Sequence, residues 1–300
     1  MDALLSDKAL NCLLQAFPAS LSLWVSQSFG YSSPFCPLYL LTAGLLILAW
    51  LMWEEEKTWR ESWLHLRNLW NSQKRAMAAD GLWALGHMIC LKGPLALLHV
   101  LFFQGAYTRS LSFSSELLAP SWQWTAPVWL QGFLATLVTM LAIDFVAYVI
   151  HRAMHTVPCL WHVHRLHHSA TFLTPLTTLR QHPLEPLMLS VGRGVAAGCG
   201  LGFLHAWFSG ATPLWTLGGM GCGFFFYMFT VNLHHAPIPL RYPAVVSLYF
   251  LSPHMHHLHH SRALHHHGSN FGVVFSIWDR LFGSYLDQRV GLDELEFGQT

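Results

Sequence analysis

The chain has 300 residues, 53% of them hydrophobic and only 10% charged, with 16 basic against 15 acidic side chains. A soluble domain carries about a quarter charged residues, so this composition excludes an ordinary soluble domain and points to the membrane. The near-zero net charge leaves no footprint for nucleic acid, and six cysteines scattered through apolar runs, with no CxxC pair, supply no disulfide framework.

In chain order, residues 1–35 mix apolar patches with Pro18 and the stretch SFGYSSP, as an interfacial or partial span would; a basic region followed by a cleavage site, the mark of a signal peptide, is absent. Pro37 to Trp53 is charge-free and just long enough to cross the hydrocarbon core, ending on Trp50 and Trp53 as an aromatic belt. Glu54 to Asp80 is polar and reads as an interfacial helix and loop. Leu82 to Phe103 is a second span, which His87, Lys92 and Pro94 should bend or press against other helices. Gly105 to Thr125 reads as a loop, and Val128 to Ile150 as the cleanest span, running straight into His151. Leu187 to Val231 suits a hairpin of two short spans whose glycines permit close helix approach. The end from Asp287 reads as an acidic, solvated tail.

Basic residues set the orientation. Lys57, Arg60, Arg67, Lys74 and Arg75 crowd the first loop, whereas 104–123 holds only Arg109, so the first loop is expected in the cytoplasm. Successive crossings then bring both histidine-rich segments, 144–183 and 253–267, to the cytoplasmic side. The expected architecture is all-α: an integral membrane bundle of about four transmembrane helices with a cytosolic, histidine-rich helical cap. The expected divisions are an N-terminal membrane region (1–123), a catalytic domain (124–286) and a tail (287–300).

Histidine is the outlier, at 21. His151 and His155 form HxxxH. His164, His167 and His168 form HxxHH, and His256, His259 and His260 repeat it, spacings that put imidazoles on one face of a helix. Eight such rings exceed the coordination of one ion, which implies two metals. Imidazoles with hardly any carboxylates suit Fe, Zn, Cu or Ni and argue against Mg or Ca. The HExxH pattern of zinc proteases is absent.

The stretches DFVAYVIHRAMH, WHVHRLHHS, TLRQHPLE, NLHHAPIPL, SPHMHHLHHS and SNFGVVFSIWDRLFGSY occur in that order between Leu141 and Tyr285. They resemble the fatty-acid hydroxylase and sterol desaturase superfamily of membrane di-iron oxygenases. The resemblance implies metal ligation by His151, His155, His164, His167, His168, His256, His259 and His260. It adds His235 as a ligand or immediate neighbour and His182 at a further matching position. It places Asp144, Asn270 and Asp279 behind the ligands, anchoring ring nitrogens. It further implies two iron ions, replaceable by zinc on purification, a lipid or sterol substrate from the bilayer that is hydroxylated or desaturated with dioxygen, and an external electron donor. That donor would resemble cytochrome b5 or a ferredoxin with its reductase, since the sequence holds neither a Rossmann fingerprint nor a ferredoxin-like cysteine set. A non-oxidative zinc-binding relative and a histidine-rich metal transporter are the alternatives. His65, His87, His99 and His205 read as structural, His162, His254 and His257 fall outside the spacing of their boxes, and His265, His266 and His267 are expected to face solvent.

Overall fold

The computed structural model describes residues 37–53, 55–118, 122–208, 214, 216–217, 220–221, 230–289 and 295–299. The interfacial segment expected at 1–35 and most of the second half of the expected hairpin lie outside the described residues. Helix α1, Pro37–Trp53, has 17 residues and packs Ile47 and Leu51 against Ala236 and Ile238 of a later loop. Helix α2, Trp59–Gly86, starts at a reciprocal cap. The Thr58 N–H donates to the Glu61 carboxylate at 2.8 Å while the Glu61 N–H donates to Thr58 Oγ1 at 3.4 Å, so two donors that the helix cannot satisfy are paired.

The polar helix and the second span are not separate elements. A π-helical turn, His87–Leu91, joins α2 to α3, Lys92–Leu117, in one rod of 59 residues. The π turn, in which the Lys92 N–H reaches the His87 carbonyl, sits just ahead of Pro94. Such a turn absorbs the donor that proline lacks without ending the helix. The loop expected over 105–125 is corrected as well: α3 stays helical to Leu117 because its far half is packed. Ser110 Oγ donates to the Cys199 carbonyl at 2.8 Å, and Tyr107 Oη lies 3.0 Å from His205 Nδ1.

Helix α4 spans Val128–Thr156. Helix α5, Pro158–His168, follows after one residue and opens on proline, which costs nothing in a first turn. A 3-10 turn, Pro175–Leu179, leads to α6, Leu184–Trp207. The rod, α4 and α6 are long and apolar enough to cross a membrane, and α1 is shorter. Leu97, Leu101, Phe102, Phe113, Trp129 and Phe203 stand exposed on these spans. Such side chains face lipid in an integral membrane protein.

Helices α3 and α6 run side by side on a seam of Gly194, Gly198 and Gly202. A methyl group added at Gly198 would collide with the Phe103 carbonyl and lie 2.9 Å from the Tyr107 nitrogen. Alongside, Ala135, Leu201, Leu204 and Phe208 form a core joining α4 to α6. Two-residue strands, β1 (Thr216–Leu217) and β2 (Met220–Gly221), pair antiparallel.

The remaining elements build the cap: a helical turn at 230–234, α7 (Ala244–Ser247), α8 (Pro253–His260) and α9 (Ile277–Leu281). The tail does not follow expectation. Residues 295–299 return to the cap, where the Gln299 N–H donates to the His168 carbonyl and the Arg262 N–H to the Glu296 carbonyl, both at 2.9 Å. The Phe297 ring meets His257 edge-on at 5.7 Å. His266 departs too: a 3-10 turn, Leu264–His266, carries it inward to 2% exposure, while His265 and His267 stay exposed.

Gly198→Leu should separate α3 from α6. Overpacking of this kind costs roughly 1–3 kcal/mol, and here the obstruction is backbone, which cannot swing aside. The thermal midpoint in detergent should fall by several degrees, and an unchanged midpoint would show that the seam carries no stability.

Candidate metal centre

Helix α4 delivers His151 and His155 in its last two turns. What fixes that end is Asp144, two turns earlier and buried inside the span. Its carboxylate accepts from the backbone N–H of Val274 at 2.8 Å and of Phe275 at 3.1 Å, and from Trp278 Nε1 at 3.0 Å. A carboxylate in a membrane span persists only when so engaged. Helix α8 is buried along all eight residues. Its start is held by Ser252, whose Oγ accepts the Met255 N–H.

Nine imidazoles converge in two groups. His151, His155, His164, His168 and His259 form one, and His167, His235, His256 and His260 the other. Within each, one nitrogen per ring lies within 4.8 Å of all the rest. Helix α5 divides its three histidines, sending His164 and His168 to the first group and His167 to the second. Helix α8 divides likewise, with His259 in the first and His256 and His260 in the second. Eight rings are buried, and His155 is half-buried. His182 stands outside both groups, where its Nδ1 accepts the Leu184 N–H at 3.3 Å. His257, also outside, donates from Nε2 to the Ala236 carbonyl.

The outer nitrogens show how the rings are aimed. His151 Nδ1 donates to the Phe271 carbonyl and His259 Nδ1 to the Ser269 carbonyl, each at 2.8 Å. His164 Nδ1 donates to the Glu185 carboxylate at 3.0 Å. His235 Nδ1 lies 3.0 Å from Thr178 Oγ1 and 3.4 Å from the Val231 carbonyl. Asp144, Asn270 and Asp279 make their hydrogen bonds elsewhere, one step further back. Asn270 adopts a left-handed φ of 55°, which asparagine tolerates better than most residues. Its side chain ties Met255 to Leu286. Asp279 accepts the N–H groups of Phe271 and Gly272 at 2.8 Å each. Together they shape the loop whose carbonyls orient His151 and His259. Sequence reasoning missed Glu185 and Thr178. A carboxylate opening an apolar span was a usable signal for Glu185; nothing local distinguishes Thr178 from other threonines.

Burial holds the rings uncharged. It lowers the His164 and His167 pKa to about 3 each, and takes His168, His235, His256, His259 and His260 well below the ordinary value. His151 and His164 each spend their Nδ1 proton on an oxygen that accepts it, so each presents a bare lone pair at Nε2. Those two nitrogens lie only 3.1 Å apart. Two lone pairs cannot hydrogen-bond to each other, so the arrangement fits a cation drawn to both. The residues therefore suit a metal ion.

Two hollows reach the rings. A narrow cavity of about 80 Å³ touches members of both groups, with Ala147, Met154, Leu189 and Val273 among its walls. A solvent-open pocket of about 460 Å³ reaches His155 and His259, rimmed by Trp161, Arg262 and Gln299. A larger groove along α3 and α6, near Leu101 and Val195, lies away from the histidines.

A family model described as fatty acid hydroxylase matches residues 136–284. The chain is 27% identical to an alkylglycerol monooxygenase of Caenorhabditis elegans, over 49% of this chain and 26% of that protein. It is 25% identical to the ornithine lipid hydroxylase OlsE of Rhizobium tropici, over 83% of this chain and 66% of that protein. With a sphinganine C4-monooxygenase of Arabidopsis thaliana it shares 33% identity, over 50% of this chain and 53% of that protein. The chain thus spans less than two thirds of each of these relatives. No solved structure matches it.

The lowered histidine pKa values contribute to the acid sensitivity of the metal-free protein, against the smaller opposing effect of Asp279 and Glu185, carboxyl groups whose charged form burial disfavours. Between about pH 3 and 6.5 the unfolded chain binds protons that the folded cap refuses. The stability these rings contribute is therefore whole above pH 6.5 and declines as the pH falls. Thermal unfolding of metal-stripped protein should show a lower midpoint at pH 5 than at pH 7.5; an equal or higher one would contradict neutral, buried rings.

Proposed function

As a member of the fatty-acid hydroxylase and sterol desaturase superfamily, this chain is, we propose, a membrane-bound di-iron oxygenase that hydroxylates or desaturates a lipid. The facing lone pairs of His151 and His164 carry the reading, because neutral, pre-aimed nitrogen donors suit iron among the metals that imidazole binds, and the family resemblance chooses iron among them. In this reading one ion is held by His151, His155, His164, His168 and His259, and the other by His167, His235, His256 and His260. Iron bound there would supply activation of dioxygen at the expense of two electrons and two protons from an external donor: in hydroxylation one oxygen atom enters a C–H bond and the other leaves as water, and in desaturation two substrate hydrogens are lost and both oxygen atoms leave as water.

The chain's own residues orient and exclude. Phe271, Ser269, Glu185 and Thr178 engage the outer nitrogens of four rings, His151, His259, His164 and His235, an arrangement that raises ligand basicity and locks ring angle. Ala147, Met154 and Leu189 offer an apolar wall to a hydrocarbon. In this reading an electron-carrier protein, resembling cytochrome b5 or a ferredoxin, docks at the solvent-open pocket beside His155 and Trp161. The basic side chains Lys57, Arg60, Arg67, Lys74 and Arg75 support a cytoplasmic position for this face, and in this reading residues 124–286 are the catalytic unit. The names of the relatives favour an amphipathic lipid, such as an alkylglycerol, ornithine lipid or sphingoid base, as substrate.

Metal analysis of detergent-purified protein, paired with lipid extracts of expressing cells, tests this. Wild type should hold two irons per chain and yield a lipid gaining one oxygen or losing two hydrogens. His168→Ala and His260→Ala should abolish the product and lower metal content, while His265→Ala, exposed and outside both groups, stays within about twofold of wild type. Zinc with unchanged lipids after iron supplementation would favour a non-oxidative relative instead.

A further inference from the structure

The polar helix α2 meets the cap through a buried carboxylate that lies outside the matched residues 136–284. Asp80 is 0% exposed. Its Oδ2 accepts from Thr177 Oγ1 at 2.6 Å and from Thr174 Oγ1 at 3.4 Å, and its Oδ1 from Arg180 Nη1 at 3.1 Å. Arg180 turns its other two nitrogens to Ser169 Oγ, Nε at 3.2 Å and Nη2 at 3.0 Å. Ser169 directly follows His168. Thr178, next to Thr177, places its Oγ1 3.0 Å from His235 Nδ1.

One carboxylate thus gathers both ends of the 169–180 segment, and each end adjoins a ring of a different metal group. The segment has little structure of its own to hold it. Its 3-10 turn, Pro175–Leu179, is of a kind that is marginal alone, and Thr177 Oγ1 accepts the Thr174 N–H while donating to Asp80. At His235 the Val231 carbonyl can only accept, so Nδ1 carries the proton; the Thr178 oxygen, which is nearer, accepts it too. Nε2 is left bare toward His167 at 3.2 Å and His256 at 3.0 Å. The angle of that ring is therefore set through Thr178, and Thr178 is placed through Thr177 by Asp80.

We propose that Asp80 is a positioning residue for the metal centre, acting through Thr177 and Thr178 on His235 and through Arg180 and Ser169 on the end of α5. The proposal rests on the two-ion reading above, and it brings a residue of the N-terminal membrane region into a site otherwise built downstream of it. Losing a partner behind a ligand typically costs about 10- to 100-fold in metal affinity.

The test uses the full chain in detergent, stripped of metal and titrated with Co²⁺. Uptake is followed by equilibrium dialysis and visible absorption, and thermal unfolding is recorded in parallel. Wild type should take up two cobalt ions. Asp80→Asn removes the charge at constant shape, and Thr178→Val removes the hydroxyl. Each should weaken one of the two ions by about 10- to 100-fold and change its absorption band, while Thr178→Ser restores wild-type uptake. If Asp80→Asn fails to fold, Thr178→Val and Thr178→Ser decide. Variants that melt earlier yet bind both ions with wild-type affinity and spectrum would reduce Asp80 to a structural tie and overturn the proposal. Wild type taking up fewer than two ions would instead overturn the two-ion reading, and this proposal with it.

Discussion

Uncharged imidazoles facing one another nitrogen to nitrogen repel unless a cation or a shared proton lies between them. In this cap five ring pairs stand nitrogen to nitrogen at 3.0–3.2 Å, and a neutral ring can relieve such a contact only by carrying its one proton on the facing nitrogen. For His151 and His164 the Nδ1 partners fix the tautomer, and no rearrangement of hydrogens makes their contact favourable. The metal-free cap therefore holds this pair of rings together against its own repulsion. What holds them is everything around them: the carbonyls of the 269–271 loop, the Glu185 carboxylate, and the spans that fix where α4 ends and α6 begins.

The membrane helices act as the rigid part of that frame. The glycine seam lets α3 and α6 approach backbone to backbone, and the apolar contact of α4 with α6 sets the height at which His151 leaves the bilayer. Asp144 then ties the span to the loop before α9. Removing such a carboxylate's partners would strand a charge in a poorly solvated place, which typically costs several kcal/mol. The span and the loop are thus obliged to move together, and the loop carries the carbonyls that aim the rings.

Much of the site was legible because it is local. HxxxH and HxxHH place rings on one helical face by geometry alone, and all eight spaced histidines, with His235, fall in the two groups. Which ring joins which group was not legible: His167 and His168 are neighbours in sequence, yet about 100° apart around α5 they serve different groups. Asp144, Asn270 and Asp279 came from the family resemblance, as anchors of the ring nitrogens, but their work is to shape backbone whose carbonyls do the anchoring. The helix over 105–117 escaped notice for a different reason. Its sequence, GAYTRSLSFSSEL, has no strong propensity, and it is helical because α6 packs along it; tertiary contact decides such segments. Nor does the acidic composition of the tail reveal that Gln299 bonds to the backbone of His168.

The two hollows give the cap a direction. The narrow cavity has walls from α4 and α6, the helices that rise from the bilayer, and it touches rings of both groups. The wider pocket opens on the opposite chemistry, with Arg262, Gln299 and the exposed edge of His155 around it. In the proposed reaction an apolar chain and a pair of electrons have to reach the same centre without water following either. The narrow cavity sets Ala147, Met154, Leu189 and Val273 beside the polar Gln181, Glu185 and Arg193, and the wider pocket has a polar mouth, so two separate hollows end on the rings. Of the nine rings only His155 is half-buried, and it lines the pocket that opens to solvent. Trp161 packs at 5.2 Å from His155 and 5.6 Å from His168, so it lines that mouth with an aromatic surface.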